Sequence, residues 1–62
     1  MKQHEITPLF AKLDVASLKA TGEVCAQSTP ATAKRDAAMI GGILLAMDAV
    51  HAVEAELREE AE

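Results

Sequence analysis

Leu9, Leu13, Ala16, Ala20 and Val24 recur at spacings of four and three along the first half of the chain, which is the stripe of one helical face. Phe10 and Ser17 flank that stripe, while Lys12, Lys19 and Glu23 lie away from it. In the second half, Met39, Ile43, Ala46, Val50, Val53 and Leu57 follow a four-three-four-three-four spacing, a heptad seam. A neighbouring stripe of Ala33, Ala37, Ile40, Leu44 and Met47 widens the apolar face, so that residues 37–47 are apolar nearly all round. From Asp48 onward only the narrow seam continues, with glutamates outside it.

Two Thr-Pro pairs punctuate this pattern. Thr7-Pro8 reads as an N-cap followed by proline at the first helical position, and Ser28-Thr29-Pro30 repeats that signal as a turn and a new start. The expected fold is all-α: an antiparallel hairpin of two helices, approximately 8–27 and 30–60, in a single domain covering 1–62. Residues 1–6 are expected to form a loose arm, 28–29 the interhelical turn and 58–62 a frayed acidic end. Gly22 is a possible C-cap, but Val24 and Cys25 extend the apolar pattern, and continuation to about Gln27 is favoured at a cost of ~1 kcal/mol. Gly41-Gly42 is open to a kink or to close approach by another helix; an unbroken helix with close contact is favoured.

Length turns this pattern into a statement about assembly. Sixty-two residues make one domain at most, and single cores below roughly 70–80 residues usually need a staple. Cys25 is the only cysteine, which excludes an internal disulfide and suits a reducing compartment, with the thiol packed as a small hydrophobe. Oligomerisation is the remaining staple. A first helix of roughly 30 Å against a second of roughly 45 Å would leave Val50, Val53 and Leu57 overhanging. The expectation is therefore a homodimer resembling a four-helix bundle, with an interface built from Met39, Gly42, Ile43, Ala46, Val50, Val53 and Leu57.

Charge adds direction. Residues 1–35 sum to +2 and residues 36–62 to −6, giving the net of −4. An acidic chain with one basic pair, Lys34-Arg35, is a poor nucleic-acid binder, and the longest apolar run, eleven residues from Ala37 to Met47, is short of the roughly 20 that span a bilayer. No targeting segment is visible, and a cytoplasmic location is expected. Glu54, Glu56, Glu59 and Glu60 form an acidic surface suited to docking on a basic partner. They also solubilise the exposed end of an apolar helix.

Catalytic and cofactor signatures are absent from the spacing. Cys25 has no base placed by sequence, and neither Thr21-Gly22 nor Gly41-Gly42 has the strand and Lys-Ser/Thr context of a phosphate loop. Asp48-x-x-His51-x-x-Glu54 puts three polar groups on one ridge, yet metal-carboxylate bundles need two such motifs and further inward glutamates. The sequence thus points to a small acidic, dimeric, non-enzymatic interaction protein that takes no cofactor, binds itself and another protein with a basic or apolar groove, and modulates that partner, most simply as an inhibitor, in the manner of phage or plasmid accessory factors acting on a host regulator. The alternatives are a structural oligomerisation module and, as a minor reading, a metal-carboxylate helical bundle.

Overall fold

The computed structural model describes residues 1–61 and contains two helices, α1 (Gln3–Gln27) and α2 (Ala33–Glu60), with no strand among the described residues. They fold back on one another as a hairpin whose Cα atoms occupy 50 × 16 × 8 Å. The molecule is a single layer, one helix thick, with both broad sides open.

Residues 3–6, expected as part of a loose arm, are helical, and Pro8 lies inside α1 rather than at its start. Proline at this position deletes only the bond that its N–H would have given the His4 carbonyl, in a solvent-facing turn. Packing outweighs that loss. Ile6 is fully buried and Phe10 is 5% exposed, and the turn is clasped from α2. Arg58 donates to Gln3 Oε1 at 2.8 Å and to Thr7 Oγ1 at 3.2 Å, Gln3 Nε2 donates to the Arg58 carbonyl at 3.1 Å, and Glu54 holds the guanidinium at 2.8 Å. Arg58→Ala is expected to cost about 1 kcal/mol and to speed amide exchange at residues 5–10 without affecting the interhelical turn.

The added turns change the geometry of the second half. At 25 and 28 residues the helices are nearly matched, about 37 and 42 Å long, so the expected overhang does not exist. Val50 and Leu57 are half-buried against α1. Residues 58–60, expected to fray, continue α2, with Arg58 supplying a cation in the last turn as the helix dipole favours; Glu62 lies outside the described residues.

The interhelical turn runs from 28 to 32, longer than the expected pair 28–29, and α2 starts at Ala33 rather than Pro30. Thr29-Pro30-Ala31-Thr32 closes as a β-turn with proline at its second position and the Thr32 N–H on the Thr29 carbonyl at 3.0 Å. The Thr32 hydroxyl accepts from the Thr29 N–H at 3.0 Å and donates to Asp36 at 2.6 Å. Arg35 pairs with the same carboxylate at 3.2 Å. The Thr32 hydroxyl bond, then that of Ser28, together with Arg35, hold the Asp36 carboxyl below its ordinary range against the opposing effect of burial. Both helices run unbroken through their glycines.

The inward face of α2 is Asp36, Ile40, Ile43, Met47, Val50, Glu54 and Leu57, at the four-three spacing of a coiled seam. It meets Ile6, Phe10, Ser17, Ala20, Thr21 and Val24 of α1. Leu9 and Leu13, expected to lead the inward stripe, are instead 41% and 38% exposed. Ser17 and Thr21 occupy the interior because each hydroxyl satisfies itself on its own helix, bonding the carbonyls of Asp14 and Ser17 at 2.9 Å.

Candidate interaction surfaces

The seven residues expected to form one interface divide between two faces. Ile43, Val50 and Leu57 face α1, whereas Met39, Gly42, Ala46 and Val53 are exposed beside them. The sequence seam merged these two adjacent stripes because both are apolar with the same period. The exposed stripe, completed by Ala49, is continuous with Leu9 and Leu13 across the hairpin: Phe10, Leu13, Ala49, Val50 and Val53 line one shallow groove with no polar group. The apolar centre of this broad side is the neutral face; along α2 its stripe runs on into Glu56 and Glu60, seven residues beyond Ala49 and Val53. Leu9 and Leu13 belong to the stripe expected to face inward; Ile6 and Phe10, four apart with Phe10 next to Leu9, carry the same period and mark the true inward line.

A Cβ built at Gly42 meets nothing within 4 Å, and the same holds for Gly41. The hairpin itself therefore has no steric need for glycine there, although each glycine costs about 1 kcal/mol in a helix.

The opposite broad side carries a groove of about 310 Å³ bordered by Asp14, Leu18, Leu44, Met47, Asp48 and His51. His51 donates from Nε2 to Asp14 at 2.8 Å, joining the two helices across its floor, and both side chains are about half exposed. The Asp14 hydrogen bond raises the His51 pKa above 6.5; partial burial opposes this, and the charges of Asp14, Glu54 and Asp48 add to it. A raised folded-state pKa gives stabilisation that is complete below 6.5 and is lost as pH rises through the folded value. The wild-type urea midpoint should thus drop between pH 5.5 and 8.5 by more than that of His51→Gln. Equal drops would remove any contribution from this pair.

The acidic surface also divides. Glu54 is engaged by Arg58 and half-buried, while Glu56, Glu59 and Glu60 are exposed. Asp48 and His51 share the groove, but no group of three or more His, Cys, Asp or Glu side chains among the described residues is arranged to hold a metal ion. Cys25, expected in the core, is exposed, since the inward position of that turn belongs to Val24.

The hairpin exposes 4649 Å², whereas a self-contained fold of 6.5 kDa is expected to expose about 3800 Å². The excess, on the order of 800 Å², matches one partner's share of a standard protein interface. An eighteen-residue window of α2 has a mean hydropathy of 1.5, and by length and composition this helix is long and apolar enough to cross a membrane. The uninterrupted run of eleven residues understated this, because the window averages across Asp48. Comparisons with known protein families, curated proteins and solved structures give no match to the chain.

Proposed function

We propose that the protein is a small, non-enzymatic interaction module that pairs with a second copy of itself into a four-helix assembly and acts by binding another protein. The observation that carries this reading is the exposed apolar surface. Among the described residues only Ile6 and Phe10 are buried hydrophobic side chains, while Leu9, Leu13, Met39 and Val53 stand 38–49% exposed on one side. A layer 8 Å thin gains a second layer when two neutral faces meet, which is the arrangement that lets short helices bury a common core.

Self-pairing is favoured over a membrane location for α2 by the polar groups within its length. Asp48, inside the apolar stretch, would cost up to about 2.5–3.5 kcal/mol in a bilayer, Glu54 closes that stretch, and α1 carries Lys12, Asp14, Lys19 and Glu23 alongside. A lone exposed thiol fits a reducing cytoplasm. Glu59, off the neutral face, and Glu56 and Glu60, at its end, would steer the assembly toward a basic partner, whose activity it would modulate, most simply by occluding the basic surface.

Affinity capture from the source cell's lysate tests the function. A regulatory protein retained by the wild type and released at elevated salt supports the reading. Recovery of only the chain itself, or of subunits of a larger complex, would instead favour a structural oligomerisation module.

A further inference from the structure

We propose that the groove between Leu18 and Leu44, on the side opposite the neutral face, is the docking site for a cationic amphipathic helix of the partner protein. This inference rests on the reading of the chain as a self-paired interaction module, and it assigns the two broad sides of the hairpin different occupants.

The two sides differ in charge, and that difference decides which partner each accepts. The centre of the neutral face, around Leu13, Ala49 and Val53, can meet itself across a two-fold axis without opposing carboxylates, Glu56 and Glu60 lying at its end. The groove cannot: self-pairing there would gather Asp14 and Asp48 from both copies into one partly desolvated layer, and like charges so placed are destabilising. Yet the groove is too apolar to be merely a solvated surface. Leu18 is 73% exposed and Leu44 60% exposed, and they flank the two carboxylates together with Met47. Pairing through the neutral face leaves them uncovered.

The chemistry of the missing occupant follows from that lining. None of the groove residues is Lys or Arg, and Asp48 makes no ion pair among the described residues. Asp14 carries only His51. An apolar trough edged by carboxylates accepts a helix with a leucine-type stripe for Leu18, Leu44 and Met47 and lysines or arginines at its margins for Asp14 and Asp48. Gly41, in the same helix and with open space where a side chain would stand, lets such a helix lie close to the α2 backbone.

The test uses the full chain and a synthetic fourteen-residue helical peptide of leucine and lysine, with a matched peptide carrying glutamate in place of lysine. Titration is followed by amide chemical shifts and by calorimetry, and the mass of the protein is read on the same samples by light scattering. The expected result is saturable binding of the lysine peptide only, with shifts centred on Leu18, Thr21, Leu44 and Met47. The double variant Asp14→Asn/Asp48→Asn should weaken binding about ten-fold while keeping the native mass and helicity. Equal binding of both peptides, shifts centred on Leu13 and Val53, unchanged affinity in the double variant, or no binding would each overturn the groove assignment. Light scattering separates this from self-pairing: a monomer that still binds the lysine peptide in the groove removes the dimer and leaves the groove, whereas a dimer that fails to bind it removes the groove alone.

Discussion

Val53→Asp is expected to leave the protein monomeric at micromolar concentration and to strip most of its helicity with it. Val53 is 49% exposed in the hairpin, so an aspartate there harms little within a single chain. Across a two-fold interface the same substitution buries unpaired carboxylates, a loss of about 3–5 kcal/mol in all, or on the order of 10²–10⁴-fold in the dissociation constant. The hairpin alone has too thin a core to compensate, so dissociation and unfolding should coincide. Glu59→Ala, off the stripe that carries Val53, should leave the mass unchanged. Gly42→Leu reads the same contact with opposite sign. In an unpartnered hairpin it raises helix propensity at an open position and stabilises by just under ~1 kcal/mol; where a second α2 lies against Gly42, the added side chain forces the helices apart and weakens pairing.

Ile6→Ala should be the most damaging single truncation within the chain. Among the described residues Ile6 is the one large side chain fully removed from solvent, and Ile→Ala at such positions costs about 2–5 kcal/mol. Each kcal/mol moves the melting temperature of a domain this small by about 4–8 °C, so a fall of at least about 8 °C in the circular-dichroism melt is expected. The loss should begin at the open end of the hairpin. Without Ile6 the turn between Gln3 and Pro8 has only its Arg58 clasp, and α1 would retreat toward the Thr7-Pro8 start that its sequence suggests. A melt unchanged within 2–3 °C would mean that Ile6 is not part of the cooperative core.

Much of this architecture is legible in the chain. Helical composition, the 3.6-residue period and the Ser28-Thr29-Pro30 punctuation are enough for two helices and the place where they turn, and the apolar residues beyond Gly22 and on both sides of Gly41-Gly42 are enough to carry each helix through. The start of α1 was not legible, because Thr7-Pro8 is a good local signal that loses to long-range packing by Ile6 and the reach of Arg58 across 51 and 55 residues of sequence. That miss produced the false overhang at Val50 and Leu57. The inward face of α1 was hidden for a different reason: Ser17 and Thr21 break its apolar period, yet are cheap to bury once bonded to their own backbone. Leu9 and Leu13 offered a cleaner stripe. On the proposed self-pairing they would be an intermolecular surface rather than core. The Asp14–His51 pairing lay beyond sequence reasoning altogether, since 37 residues separate the partners and no local pattern joins them.

The solution mass of the intact chain bears most directly on whether the neutral face is where the fold is completed. Light scattering on the size-exclusion peak at about 10 µM should give about 13 kDa, twice the 6.5 kDa chain, and Val53→Asp should abolish that species. A 6.5 kDa monomer that melts cooperatively with its neutral face in water would contradict it.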